Sequence, residues 1–277
     1  LPNGTALGCT FNVDLVKKLY KMTGIELCRN RIDSLLGPGM NIHRNPLNGR
    51  NFEYVSEDPI LTGKIGAAQV IGIQEAGSTA TIKHFCANNQ EASRRFVDSI
   101  VSERALREIY LKGFEIAVKE GKARSVMTTY NPVNGIWTAG SYDLCTTILR
   151  KEWGFDGIVM TDWWAEANTE GEKSTRGNKA PMVLAQNDLY MCVSNSLENP
   201  ENDNVKERFE AGEVTRSDLQ RNAKNILKFI MKSQAMLHEL NLISKEDLEE
   251  INAQDDDGNI SLGDIVYYYA DKDSNDI

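Results

Sequence analysis

The chain has 277 residues, 41% of them hydrophobic and 26% charged, a balance from which an ordinary globular chain can bury a sizeable core. Its 31 basic and 40 acidic residues leave a formal charge of −9, and the lack of any basic stripe argues against a nucleic-acid surface. No run of about 18 apolar residues occurs, so no segment reads as a membrane-spanning helix.

Apolar runs alternate with helical patterns, as in a parallel α/β fold. Asp14 to Arg31 reads as a helix with Leu15, Val16, Leu19, Tyr20 and Met22 on its apolar side, and Ser34–Gly39 as a short strand breaking into a Gly/Pro loop. A helix over Thr62 to Glu75 carries Ile65, Ala68, Gln69 and Gly72, which suggest close packing; Thr79–Ile82 is a buried strand running into Lys83 and His84. Ser102 to Glu120 is the clearest helix, opened by a weak capping box and closed at Gly121. Strand Ser125–Thr128 leads to Tyr130, Asn131 and Pro132, and helix Tyr142 to Trp153 stops at Gly154. Strand Gly157–Met160 exits at Thr161, Asp162, Trp163 and Trp164. Glu170 to Ala180 reads as a surface loop, Leu184 to Met191 as a strand, and Thr215 to Met236 as one long helix across the outside of the sheet. From about Ser244 the texture becomes acidic, and Ile265–Tyr269 has strand propensity. Asp255, Asp257 and Asn259 are misspaced for a calcium loop, so a solvated linker is expected there.

The cysteines Cys9, Cys28, Cys86, Cys145 and Cys192 form no C-x-x-C pair and read as buried free thiols in a reducing compartment. The first residues lack the basic flank and apolar core of a signal peptide, and a cytoplasmic location is the corresponding expectation.

In an α/β barrel, chemistry gathers where strands exit. One exit loop holds Arg44, Arg50 and Glu53; the next offers Lys83, His84, Asn88, Asn89, Gln90 and Arg94; the third gives Tyr130 and Asn131; the fourth gives Asp162 with two tryptophans. Such a set of hydroxyl-binding groups around one carboxylate, walled by aromatic rings, suits a sugar. Each piece also has a plain reading. Asp162 in such a position is more often a helix N-cap than a nucleophile. Lys83 and His84 fit a snorkelling lysine beside a satisfied core histidine. Arg50 and Glu53 fit an ion pair bracing a loop.

The segment Gly37–Pro59, GPGMNIHRNPLNGRNFEYVSEDP, closely resembles the hallmark loop of glycoside hydrolase family 3. Ile82–Glu91 (IKHFCANNQE), Val126–Asn131 (VMTTYN) and Gly157–Trp164 (GIVMTDWW) resemble further motifs of that family in the same order. Gln186–Met191 looks like its late Gly-Asn-Asp strand, with Gln186 where glycine is usual. The resemblance runs over about residues 1–235 and is greatest to the β-glucosidases. It implies a (β/α)₈ barrel of the TIM type that lacks its first strand here, followed over residues 236–277 by a linker and the start of a small accessory β-domain.

By resemblance, Asp162 is the catalytic nucleophile that forms a covalent glycosyl-enzyme. Lys83, His84, Arg50 and Arg94 bind sugar hydroxyls, Tyr130 lies beside the nucleophile, Trp163 forms the aromatic wall, and Met127 belongs to the substrate-binding set. A carboxylate flanked by Lys and Arg is expected to keep a low pKa. The activity implied is retaining removal of terminal non-reducing β-D-glucosyl residues from a β-glucoside or oligosaccharide, with no metal or other cofactor. Retention needs a second carboxyl about 5–5.5 Å from the first. None of Glu53, Glu91 and Glu166 matches it, and in this family it usually comes from a separate α/β-sandwich domain of the same enzyme. The N-acetylglucosaminidase branch carries a His-Gly loop where this chain has Cys86-Ala87-Asn88-Asn89, which argues against that branch. A β-xylosidase or arabinosidase, and a non-catalytic carbohydrate-binding fragment, are the alternatives.

Overall fold

A computed structural model describes residues 1–191 and 198–239. A short helix α1 (Gly4–Cys9) and a longer one, α2 (Val13–Arg29), open the chain. Asn12 caps α2 by accepting from the Leu15 amide at 3.0 Å, and Asp14 and Arg29 complement the helix dipole at either end. After β1 (Ser34–Leu35) comes α3 (Pro59–Glu75), capped by Asp58, whose Oδ1 accepts from the Leu61 amide at 2.6 Å. Proline at the first helical position forfeits no hydrogen bond there. Helix α3 is buried nearly all round because it is wedged between α2 and a later helix. Gly72 shows how tight the wedge is: a Cβ there would stand 2.4 Å from the Lys17 carbonyl oxygen.

Strand β2 (Thr79–Phe85) is followed by α4 (Glu103–Ala105), a wider i→i+5 turn over Leu106–Tyr110, and α5 (Lys112–Lys119). The helix expected over 102–120 is therefore interrupted by a π-turn. Its cap is one-sided, since Ser102 accepts from the Ala105 amide and alanine has no side chain to answer. Next come β3 (Ser125–Thr128), the small hairpin β4 (Pro132–Val133) and β5 (Ile136–Trp137), a wide helix over Asp143–Glu152, and β6 (Ile158–Met160). Helices α6 (Ala180–Leu184), α7 (Val205–Glu210), α8 (Arg216–Ile230) and α9 (Gln234–Glu239) complete the described chain.

The sheet runs β1-β2-β3-β6, all parallel, with Ser34 opposite Thr79, Ile82 opposite Val126 and Met127 opposite Met160. Its helix-facing side buries Ile82, Phe85, Val126 and Val159 against Phe114, Leu149 and Trp153. Phe85 meets Phe114 edge-on, with ring centroids 5.4 Å apart. Every chain reversal out of a strand's carboxyl end thus lies on one edge of the sheet.

Three further expectations change. The strand expected over Leu184–Met191 is not formed: Leu184 ends α6, Gln186 turns at φ +62°, and Leu189 alone bridges Met160 in parallel fashion. Pro181 starts α6 and the left-handed turn ends it, leaving too few residues for a strand. That turn also explains why glycine suits position 186, since left-handed backbone costs glycine nothing and glutamine about 1 kcal/mol. The helix expected over Thr215–Met236 divides at 231–233. Gln234 then turns back to the start of the sheet, its amide donating to Asp33 Oδ1 at 3.0 Å. Cys28, Cys86 and Cys145 are buried free thiols, but Cys9, at the end of α1, is exposed. Cys192, the calcium-like aspartates and the acidic tail with its expected β-domain fall outside the described residues.

Candidate active site

The carboxyl edge of the sheet gathers most of the polar residues singled out in the sequence. β2 ends in Lys83 and His84, the loop after β1 brings Arg50, Glu53 and Tyr54, and the loop after β2 brings Asn88, Glu91 and Arg94. β3 delivers Tyr130 and β6 delivers Asp162.

Asp162 is nearly buried. Its Oδ1 accepts the Trp163 amide at 2.7 Å, the Tyr130 hydroxyl donates to it, and its Oδ2 lies 3.8 Å from His84 Nε2. One oxygen is thereby pinned by backbone while the other is turned toward His84. Tyr130 is pressed by two guanidiniums, Arg94 at 4.9 Å and Arg95 at 4.4 Å from its ring centroid. Arg95 also donates to the Trp164 carbonyl at 3.1 Å, tying the loop after β2 to the loop that carries the carboxylate.

Two glutamates hold the cations in place. Glu53 accepts from Arg50 Nε at 2.7 Å and pairs with Lys83 Nζ at 3.0 Å; Glu91 accepts from Arg94 at 2.8 Å. Burial alone would raise the Glu53 carboxyl, but Lys83 and Arg50 outweigh it and hold it below its ordinary range. His84 is pushed well below its ordinary value, first by burial and then by the Arg50, Lys83 and Arg94 charges, so it is neutral and its contact with Asp162 is not an ion pair. The backbone of His84 is clasped by Asn41, which both donates to its carbonyl and accepts from its amide at 2.9 Å.

The expected low pKa of Asp162 is reversed. Burial raises it, and the Trp163 amide, the Tyr130 hydroxyl, Arg94 and Arg50 offset only part of that cost. Lys83 spends its charge on Glu53 instead. Burial and the neighbouring carboxylate push the Tyr130 hydroxyl up to about 12, so it stays a proton donor. Because folding raises the Asp162 pKa, the folded state binds that proton more tightly than the unfolded chain. Stability is then lost as pH rises from the unfolded carboxylate range of about 4 through the folded value, and the deficit is complete at neutral pH. Asp162→Asn is therefore expected to raise the melting temperature at pH 7 and to leave it unchanged near pH 3. An equal shift at both pH values would contradict this account.

Of the residues expected from the sequence, Arg50, Lys83, His84, Arg94, Tyr130 and Asp162 come together in this network. Trp163 joins it through its backbone amide. Met127 is buried within β3 and takes no part in these polar contacts. Arg44 points elsewhere, donating to Tyr110 at 3.3 Å. Sequence reasoning passed over Tyr54, Asn41 and Arg95. Tyr54 adjoins Glu53 in the hallmark loop, but nothing local marks it as a partner of a residue thirty positions on.

Residues 1–229 match the family model described as "Glycosyl hydrolase family 3 N terminal domain". The chain belongs to glycosyl hydrolase family 3. Within that family it is 55% identical over 267 residues to a β-glucosidase of Ruminococcus albus, covering 96% of this chain and 28% of the relative. It is 37% identical over 236 residues to an exo-α-(1→6)-L-arabinopyranosidase of Bifidobacterium longum, covering 85% of this chain and 29% of that relative. Among solved structures it superposes on a Paenibacillus barengoltzii β-glucosidase with TM-score 0.82 and 58% identity, over 85% of this chain and 26% of that one. On Thermotoga neapolitana β-glucosidase 3B in complex with glucose the TM-score is 0.78 at 43% identity, over 90% of this chain and 34% of that one. The chain thus spans roughly a quarter to a third of the length of these family members.

Proposed function

We propose that this chain carries the glycosyl-binding half of a retaining β-glucosidase, with Asp162 as nucleophile. The observation that carries the reading is the placement of Asp162 Oδ2. One oxygen of the carboxylate is fixed by the Trp163 amide, while the other lies 3.8 Å from His84 Nε2, and the Arg94 and Arg50 charges act on the same carboxylate. Attack by Oδ2 on the anomeric carbon forms the Oδ2–C1 bond as the bond from C1 to the leaving oxygen breaks, and water later cleaves the glycosyl ester. The charged and amide groups around it hold ring hydroxyls in register with that oxygen. Tyr130, kept protonated, steadies the carboxylate.

The leaving oxygen needs a proton. Among the described carboxylates Glu53 and Glu91 are committed to cations, and Glu166 accepts from Ser174 at 2.7 Å. We assign the acid/base to an α/β-sandwich domain of the same parent enzyme, in keeping with relatives three to four times as long as this match. The parallel strands, continued by the Leu189 bridge, are read as part of a (β/α)₈ barrel without its first strand over residues 1–235, with 236–277 as an accessory segment. The four free thiols among the described residues favour a cytoplasmic location.

A 2-deoxy-2-fluoroglucosyl fluoride tests the assignment without needing the acid, because fluoride leaves unaided. The label is expected on the peptide containing Asp162 and to vanish in Asp162→Asn. Label on another carboxylate would overturn the nucleophile. Preferential labelling by the corresponding arabinopyranosyl reagent would turn the substrate class toward that of the Bifidobacterium relative.

A further inference from the structure

The carboxylate assigned as nucleophile stands at the head of a tight turn. The Ala165 amide donates to the Asp162 carbonyl at 3.3 Å, and Trp164, the third residue of that turn, lies at φ +52°. Such a turn favours glycine or asparagine there, because left-handed backbone disfavours a bulky side chain. A tryptophan in that conformation persists only where its surroundings hold it. Two contacts do so. The Trp164 amide donates to the Met191 carbonyl at 3.3 Å, and the Trp164 carbonyl accepts from Arg95 Nη1 at 3.1 Å. Arg95 is anchored at its backbone as well. Its carbonyl accepts from Trp137 Nε1 at 3.1 Å, and the Trp137 amide donates to Asn168 in the loop after β6. The Arg95 guanidinium also sits 4.4 Å from the centroid of the Tyr130 ring, whose hydroxyl donates to Asp162. Arg94 shares that ring at 4.9 Å, but its guanidinium is paired with Glu91.

We propose that Arg95 is a positioning residue for Asp162, holding the 162–165 turn by the Trp164 carbonyl and Tyr130 through its ring. Its effect on catalysis rests on the nucleophile reading above; the brace on the turn does not. Both contacts converge on the carboxylate. The turn presents the Trp163 amide to Oδ1 at 2.7 Å, which leaves Oδ2 as the oxygen turned toward His84. Burial and Asp162 raise the Tyr130 hydroxyl, while the Arg95 and Arg94 charges pull it back, and a more acidic phenol is the better donor to a carboxylate. The groups that face Asp162 are Tyr130 after β3, Arg94 from the loop after β2, Arg50 from the loop after β1 and His84 at the end of β2. Arg95 acts on the carboxylate through Tyr130 and through the turn.

The test compares Arg95→Met, which keeps the length but loses both contacts, with Arg95→Lys, which keeps a cation and a donor. Trapping by 2-deoxy-2-fluoroglucosyl fluoride gives the rate of attack and the half-saturating concentration separately. In Arg95→Met the rate is expected to fall about tenfold, the scale of one hydrogen bond, with half-saturation changed less than about twofold; Arg95→Lys should recover most of it. At sub-saturating reagent the acid limb of the rate, set by ionisation of Asp162, is expected to move to higher pH, because a weaker Tyr130 donor leaves the carboxylate harder to ionise. Hydrogen exchange at the Trp163, Trp164 and Ala165 amides is expected to quicken about tenfold in the same variant. A loss confined to half-saturation would make Arg95 a sugar-binding group, and a lower melting temperature with unchanged rate and acid limb would leave it a structural contact; either overturns the proposal. Should Arg95→Met not fold, Arg95→Gln keeps a donor for the carbonyl without a charge over the ring, and an unmoved acid limb there overturns it equally. If the wild-type chain is not labelled at Asp162, the nucleophile reading fails together with the catalytic effect. The exchange rates still decide whether Arg95 holds the turn, and unchanged exchange would overturn that as well.

Discussion

Asp162→Asn is expected to lower kcat/KM for an aryl β-glucoside by on the order of 10⁴-fold or more in the parent enzyme, about 5.5 kcal/mol of transition-state stabilisation. The substitution keeps the shape and the acceptor for the Trp163 amide, 2.7 Å away in the wild type, so the pocket should survive it. What is lost is the negative oxygen facing His84 and, on the proposed function, the covalent intermediate with it. Glucose binding, which the proposed function assigns to Arg50, Lys83, His84 and Arg94, should remain measurable by calorimetry. The same variant is expected to be more stable at neutral pH, because burying an ionised Asp162 costs the fold free energy. Loss of activity with gain of stability distinguishes a strained nucleophile from a structural cap: removing a cap would lower both. Turnover within tenfold of wild type would show that another group attacks.

Asp188→Ala is expected to destabilise the fold by about 3–5 kcal/mol, read from denaturant unfolding, because it leaves a buried guanidinium without its counter-charge. Asp188 and Arg150 are 0% and 8% exposed in their side chains and meet at 2.5 Å. Asp188 also accepts from the Val159 amide at 2.9 Å and from Asn225 at 2.8 Å, so one carboxylate ties β6, the helix over Asp143–Glu152 and α8 together. Burial pushes its carboxyl up even against Arg150, a sign that the pair is costly to keep in the interior. Asp188→Leu combined with Arg150→Met should accordingly recover part of the loss. β6 leads directly to Asp162, the proposed nucleophile, so the single variant should also lower kcat. A loss below about 1 kcal/mol would mean that the other acceptors of Arg150, the Gly157 and Gln186 carbonyls, suffice to hold it.

Much of this was legible in the chain. The helix start at Thr215 was expected where its cap stands, whereas the caps Asn12 and Asp58 start α2 at Val13 and α3 at Pro59, ahead of the expected Asp14 and Thr62. Apolar runs ending in polar residues marked β2, β3 and β6, and the motifs named Asp162, Lys83, His84, Arg50, Arg94 and Tyr130 before any contact among them was known. Where expectation failed, a distant partner or a backbone turn had decided the matter. The run from Leu184 has strand-like composition, but Pro181 and the left-handed turn at Gln186 spend its residues otherwise. Counting cations along the sequence made Asp162 a low-pKa carboxylate, yet Lys83 is drawn to Glu53 and burial prevails.

The sequence by itself determined which side chains this protein has for its chemistry and on which strand ends they stand, because period, caps and motif spacing are properties of neighbours along the chain. Only the tertiary structure decided their charge states and partners. Tyr54 and His84 are 30 positions apart, and His84 and Asp162 further still. Whether a carboxyl ionises easily, or which ring nitrogen carries the proton, depends on dielectric and donors supplied across those separations. Such quantities exist only once the strands lie side by side.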